Sequence, residues 1–358
     1  MRIALDAMGG DHAPAAAVEG GLLFARAHPT HAVVFVGDER RLHALFPQGR
    51  LPPNASVRQA SEVVGMDEHP GQAIRRKKDS SLRVCFDLME AGAADGMVSA
   101  GNSGAVMTGA LLVLGRLAAV ERPAIATLFP ALSSSHAGGG RCLLLDAGAN
   151  VICRPSHLAQ FAVMGDAYVR GVMRLARPRV ALLSNGEEDS KGTELTREAL
   201  ALLRTSDLNF VGYCEGKDIF SGDVDVVVTD GFTGNVVLKT SEGVAKGVTA
   251  LLRDAIEKSP LPAKLGALLL KPVFAGLKKA VDYAEYGGAP LLGVNGTGIV
   301  AHGRSNPKAV ANALRAALEA SQAGLHKEIQ ASLVRAGSWL PGKTLRSRKG
   351  ATEEPVSS

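Results

Sequence analysis

Short apolar runs that close on small, glycine-rich polar turns recur along the chain, and each leads into a segment of helical period. Residues 2–7 (RIALDA) run into Met8-Gly9-Gly10-Asp11-His12, and residues 95–100 (DGMVSA) into Gly101-Asn102-Ser103-Gly104. Residues 141–147 (RCLLLDA) run into Gly148-Ala149-Asn150, and residues 224–229 (VDVVVT) into Asp230-Gly231-Phe232-Thr233-Gly234-Asn235. Strand, turn and helix in that order are the unit of an α/β fold with a mainly parallel sheet flanked by helices. In such a sheet the strand-end turns present backbone N–H groups and helix N-termini along one edge, a setting that suits an anion, above all phosphate.

Further strands are expected at residues 32–37, 123–128, 179–183 and 208–213, with a short strand pair within 291–301. Helices are expected from Ser81 to Gly92, after Asn102 (with Val106, Leu111, Leu114 and Leu117 toward the core), from Pro155 to Leu175, from Thr233 toward Lys258, and as one last long helix from Asn306-Pro307. Together these segments predict one two-lobed α/β domain over residues 1–335. Residues 259–283 break the rhythm with an apolar helical projection interrupted at Lys271-Pro272. Lys264, Lys271 and Lys278 recur there every seven residues, while Leu265, Leu268, Leu269, Phe274, Leu277 and Val281 supply bulk. Two readings fit: a helical pair in a dimer interface, or a basic amphipathic element on an anionic membrane surface. The polar stretch over 338–358 is expected to be disordered.

Composition narrows the function classes. Of 358 residues, 46% are hydrophobic and 21% charged, as in ordinary globular proteins. Aromatics make up only 4%, which argues against base stacking and a nucleic-acid partner. The net charge of +5 leaves room for an acidic partner. No long uncharged apolar run suggests a spanning helix, and residue 1 leads straight into a strand, so a cytoplasmic location is expected, with peripheral membrane contact as the amphipathic reading allows. Cys85, Cys142, Cys153 and Cys214 are widely spaced and read as reduced core thiols, with no metal site. Gly337 to Thr344 (GSWLPGKT) has the letters of a phosphate-binding loop, but it lacks the strand before it and the helix after it that the loop needs.

The turn blocks resemble one family. Asp6-Ala7-Met8-Gly9-Gly10-Asp11-His12-Ala13-Pro14 is similar to the N-terminal signature of PlsX-type acyl carrier protein:phosphate acyltransferases. The similarity continues in order through residues 75–81 (RRKKDSS), 99–105 (SAGNSGA), 146–150 (DAGAN), 186–192 (GEEDSKG), 228–236 (VTDGFTGNV) and 286–289 (YGGA). The resemblance implies a fold like that of isopropylmalate and isocitrate dehydrogenases and of phosphotransacetylases. It implies a homodimer that moves a fatty acyl group from acyl carrier protein to inorganic phosphate, without a cofactor. The acyl phosphate would pass to a PlsY-type membrane glycerol-3-phosphate acyltransferase for phospholipid synthesis.

Such a transfer asks the protein to hold a phosphate nucleophile, stabilise an oxyanion and assist a departing thiolate. Asn102 and Ser103 open a helix, either as part of the site or as a simple cap. Gly10, Gly101 and Gly104 would let phosphate approach the backbone, or serve turn geometry alone. Lys191 is a cation in an acidic stretch, and His12 is a candidate acid. Asp11 and Asp230 are candidates to orient them, whereas Asp146 reads as a structural acceptor. Thr233, Gly234 and Asn235 repeat the Asn102 pattern, and Asn150 is of the same kind. Arg75, Arg76, Lys77 and Lys78 form the densest basic run, either a solvated face or a docking patch for the acidic carrier protein. The rival reading is a nicotinamide-dependent 2-hydroxy acid dehydrogenase of the related fold. It needs a cluster of acidic metal ligands, for which Asp225 and Asp230 are few.

Overall fold

A computed structural model describes residues 1–132, 140–274, 276 and 287–340. The first half lays down β1 (Arg2–Asp6), α1 (Ala15–Ala27), β2 (Ala32–Gly37), α2 (Glu39–His43), β3 (Ala55–Gln59), α3 (Pro70–Arg76), α4 (Ser81–Glu90), β4 (Gly96–Ser99) and α5 (Ser103–Gly109). Then follow β5 (Ala124–Pro130), β6 (Arg141–Leu145), α6 (Pro155–Gly171), β7 (Val180–Leu183), α7 (Glu194–Arg204), β8 (Phe210–Cys214), β9 (Val226–Val228), α8 (Gly231–Lys258) and α9 (Leu261–Leu269). The chain closes with β10 (Ala289–Leu292), β11 (Gly298–Val300), α10 (Pro307–Gln322) and α11 (Leu325–Ala336).

The strands form one sheet in the order β3-β2-β1-β4-β11-β10-β5-β6-β9-β7-β8. Two parallel blocks flank a centre in which β10 is antiparallel to β11 and β5, and β5 is antiparallel to β6. Three reversals in a row make the two blocks run in opposite senses. The turns after β1 and β4 therefore leave the opposite edge from those after β6, β9 and β7, which corrects the expectation of a single edge. Strand twist of roughly 20–25° per step, accumulated over the five steps from β1 to β6, turns the blocks by more than about 100°. Opposite edges are therefore not opposite ends of the molecule.

The inner strands of each block are buried on both faces, which is why they read as apolar runs, whereas the outer strands β3 and β8 are partly exposed. Phe24, Phe35 and Leu314 pack one face of the first block, and Phe86, Met97 and Ile74 the other. Phe161, Leu143 and Leu333 fill one face of the second block, and Phe129, Leu144 and Ile219 the other. Burying a side chain of this size stabilises by roughly 1.5–3 kcal/mol.

Side-chain caps start several of these helices: Ser80, Asn102, Thr193, Asp230 and Asn306 each accept a first-turn N–H. Two expected helices differ in detail. The one after Asn102 widens into a single π turn over Ala110–Leu114 and stops at Gly115 (φ 75), so Leu117 is buried outside it. The last long helix is two, split at Gly324 (φ 58). Residues 259–283 do begin as helix in α9, where Leu265, Leu268 and Leu269 are exposed; Phe274, beyond its end, is half-buried. Leu277, Lys278, Val281, Tyr286 and the stretch from residue 341 lie outside the described residues.

Candidate active site

The first block builds one polar cluster. Ser99, at the end of β4, donates to Asp6 Oδ2 at the end of β1 (2.6 Å), and the Gly101 N–H donates to Ser99 Oγ (3.0 Å). Met8 N–H also donates to Asp6 (3.3 Å). Burial pushes the Asp6 carboxyl up, against hydrogen bonds from Ser81, Ser99, Met8 and Gly9. The two turns interlock through Gly9: a Cβ there would lie 2.5 Å from Asp6 Oδ2 and 2.9 Å from Gly101 N. Gly10 holds φ at 100°, and the Asp11 N–H donates to Gly303 O (2.8 Å). Asp11 and His12 are exposed, as are Ser103 and Gly104, whose amides open α5 without an intrahelical acceptor.

Asn102 is a staple. Its Oδ1 accepts from Ala105 N–H (3.0 Å), and its Nδ2 donates to Met66 O (2.9 Å) and Glu68 O (3.2 Å). Its amide therefore fastens residues 66–68 to the start of α5. Lys77 reinforces the same loop by donating to Glu68 (2.5 Å) and Val63 O (2.7 Å). That contact holds the Glu68 carboxyl below its ordinary range. Of the basic run, Arg75, Arg76 and Lys78 are exposed, while Lys77 is committed to this internal pair.

The second block repeats the design. Asp146 ends β6 fully buried and accepts from the N–H groups of Ile125, Gly148, Ala149 and Asn150 and from Asn150 Nδ2. Burial pushes its carboxyl up while these donors oppose the shift. The amides of this turn thus point inward, to a carboxylate of the chain, and Asn150 spends its remaining N–H on Pro123 O (2.7 Å). Asp230 accepts from both Thr233 N–H (2.9 Å) and Thr233 Oγ1 (2.8 Å), so it caps α8 and orients Thr233 rather than Lys191 or His12. Gly234 lets α8 sit on the turn: a Cβ there would fall 1.9 Å from Asp146 O. Asp225 holds Arg179 through two side-chain bonds (3.0 Å each) and so serves as a structural acceptor. Among the described residues no group of three His, Cys, Asp or Glu could hold a metal.

Helix α8 joins the two clusters. Gly148 lies against Asn235, and Lys239, Glu242 and Lys246 act on His302, beside Gly303 and Arg304 of the first cluster. Positions 235, 239, 242 and 246 share one helix face, so about 6 Å of rise separates Asn235 from Lys239. Lys239 pairs with Glu242 at 3.2 Å. Arg304 Nε lies 3.9 Å from Asp11 Oδ2, and its N–H donates to His302 Nδ1 (3.1 Å), which leaves the ring proton on Nε2. Burial, then Lys239, Lys246 and Arg304, hold the imidazole below its ordinary value, with Glu242 opposing. Lys191 sits in the loop after β7, on the same edge as Asp230; it is exposed, and its ammonium forms no ion pair among the described residues.

Gly10, Asp11, Gly101 and Asn102 are therefore brought together, and so are Asn150, Asp230, Thr233, Gly234 and Asn235, while Lys191 is bonded to neither group. Sequence reasoning missed Asp6, Ser99, Lys239 and His302. Asp6 and Ser99 close buried strands, and polar residues in otherwise apolar runs were the available signal. His302 and Lys239 carried none, because what matters is the Lys239 charge acting on the His302 ring across the fold.

The family model of the fatty acid synthesis protein matches residues 1–328. The phosphate acyltransferase of Myxococcus xanthus (strain DK1622) is 66% identical over 358 residues, covering 100% of both chains. Among solved structures, a phosphotransacetylase from Streptococcus pyogenes superposes with a TM-score of 0.59 at 17% identity, over 90% of this chain and 94% of that one. The 4-hydroxythreonine-4-phosphate dehydrogenase of Klebsiella pneumoniae does so with a TM-score of 0.50 at 15% identity, over 90% and 98%. At these identities the structures speak to fold alone, which is α/β as the sequence predicted. The sequence matches go further: the chain belongs to the fatty acid synthesis protein family and is an enzyme of the phosphate acyltransferase, PlsX-type, kind.

Proposed function

We propose that the chain transfers a fatty acyl group from the thioester of acyl carrier protein to inorganic phosphate. A phosphate oxygen attacks the carbonyl carbon, the carbon–sulfur bond breaks, and the thiolate leaves and takes up a proton. The products are acyl phosphate and the free carrier thiol. The single observation that supports this reading best is the α8 face that carries Asn235, Lys239 and Lys246 from one strand-end turn to the other. It offers an amide donor and a cation about 6 Å of rise apart, at Asn235 and Lys239, and a second cation, Lys246, about 10 Å further along the helix, to a phosphate and a developing oxyanion. The free N–H groups of Ser103 and Gly104 belong to the same reading, with Asn102 positioning them. Lys191 is the uncommitted cation for the leaving thiolate.

Arg75, Arg76 and Lys78 suit an acidic carrier protein. The exposed Leu265, Leu268 and Leu269 of α9 suit either a second copy or an anionic membrane surface. No helix among the described residues is long and apolar enough to cross a membrane. A membrane acyltransferase acting on glycerol 3-phosphate would consume the product. Incubation of palmitoyl-acyl carrier protein with the enzyme should release thiol only when phosphate is present, and Lys239→Ala/Lys246→Ala should raise the KM for phosphate. Thiol release that is absent, or independent of phosphate, refutes the assignment.

A further inference from the structure

A cavity of about 1180 Å3 opens beside the Asp146–Asn150 turn. Pro123, which accepts from Asn150 Nδ2, and Cys153, whose Sγ donates to Asn150 O (3.5 Å), both line it. Its apolar lining includes Leu111, Val120 and, from the C-terminal helical end, Leu333, Val334 and Leu340. Arg116, Arg122 and Arg154 line it as well. Arg116 is committed to Glu121 O (2.5 Å), which shapes the loop over residues 115–123. His157 and Gln160 of α6 grip the same loop through Glu121 Oε2 (3.1 Å), Glu121 N–H (2.8 Å) and Ala119 O (3.2 Å). Arg122 and Arg154 differ: both are exposed, and neither forms an ion pair among the described residues.

We infer that this cavity binds an anionic amphiphile, a long acyl chain along the apolar wall with a phosphate-bearing head between Arg122 and Arg154. A free phosphate has no use for the apolar wall, and a neutral lipid has none for the two guanidinium groups. A volume of about 1180 Å3 exceeds the roughly 300–1,000 Å3 of pockets that bury most of a drug-sized ligand. The chemical class takes its identity from the proposed transfer, in which both the acyl-phosphopantetheine donor and the acyl phosphate product have this form. The contact with Asn150 places the head beside the turn after β6, on which the start of α8 sits.

Calorimetric titration of the full chain with hexadecylphosphonate and octylphosphonate, each kept below its micelle concentration, tests the site. Each two carbons removed should weaken binding about tenfold. Arg122→Ala/Arg154→Ala should weaken hexadecylphosphonate about 10- to 100-fold. Both residues are exposed and unpaired, so this variant keeps its fold. Val334→Trp, at a half-exposed position on the apolar wall, should weaken the hexadecyl ligand while sparing the octyl one. A hexadecyl thioether of phosphopantetheine separates the sources: binding of both ligands assigns the site to donor and product, and binding of the phosphonate alone to product. Equal affinity for both chain lengths, or unchanged affinity in the arginine variant, overturns the inference. It is also overturned if Val334→Trp alters only the sedimenting mass, which would make the cavity a contact between copies. Loss of phosphate-dependent thiol release in the wild type would instead refute the transfer and leave the binding result to stand on its own.

Discussion

Asn102→Ala separates a positioning side chain from one that contacts substrate. The amide makes three bonds, one to Ala105 N–H and two to the carbonyls of Met66 and Glu68. Loss of the cap costs about 1 kcal/mol. Loss of two partly exposed hydrogen bonds adds about 0.5 kcal/mol each, at the low end of the usual range because water replaces them. The expected destabilisation is about 2 kcal/mol, or a fall of several degrees in Tm for a chain of this length. This differs from what a purely catalytic role predicts, which is lost turnover at unchanged Tm. Asn102→Ser keeps the cap acceptor and loses the two donors, so it should fall about half-way. Limited proteolysis gives a local readout, since residues 62–69 should become more readily cleaved in both variants. Turnover should track the order of that loop, lower in Ala than in Ser. Both variants melting within 0.5 kcal/mol of wild type, about the scatter of neutral surface changes, with unaltered cleavage, would show that the staple reasoning is wrong.

Gly234→Ala should destabilise by about 3 kcal/mol or more despite better helix propensity, because its Cβ meets Asp146 O at 1.9 Å; Gly171→Ala, with Ala323 Cβ 4.0 Å away, should be neutral or stabilising, and urea melts that rank them the other way would contradict the packing. Lys191→Ala removes an exposed, unpaired ammonium, so turnover should fall tenfold or more at unchanged Tm; full turnover would free Lys191 from the reaction. Arg75→Ala/Arg76→Ala/Lys78→Ala should raise the KM for carrier protein and flatten its salt dependence, whereas an unchanged KM at low salt ends the docking reading. Lys77 is left intact in that variant because it holds Glu68. Burial depresses the imidazoles of His28, His157, His302 and His326. Below their ordinary value near about 6.5 the unfolded chain binds protons that the fold refuses. Stability should therefore be complete above that value and fall as pH drops through it, with a shallower fall in His302→Gln; a Tm that rises between pH 7.5 and 5.5 would reverse the sign. The raised Asp6, Asp146 and Asp166 work the other way, binding protons in the fold above the ordinary carboxylate range, so the measurement belongs in the imidazole window.

Local chemistry was legible in the chain. Apolar runs closing on glycine, with Asn102, Asp230 or Asn306 next in line, mark strand, turn and cap within a dozen residues, because propensity and capping act over that distance. The structure keeps all of these starts. The resemblance in the turn blocks named the family for the same reason, since each block is a short contiguous stretch.

Strand direction was not legible. An apolar run reads the same in either sense, and the reversals at β10 and β5 follow from pairings between segments far apart in sequence, such as Leu291 with Ile125. The role of the turn amides was not legible either. A glycine turn looks ready for an external anion, yet Asp146 collects those amides itself, which only a buried carboxylate in place can do. Residue order determined the elements, their caps and the chemistry on offer. Packing decided which groups still face outward and which act on one another: Asp6 bonded to Ser99, the charge of Lys239 felt at His302, and Arg122 and Arg154 on one cavity. Such meetings depend on distances through space, and a one-dimensional pattern does not contain them.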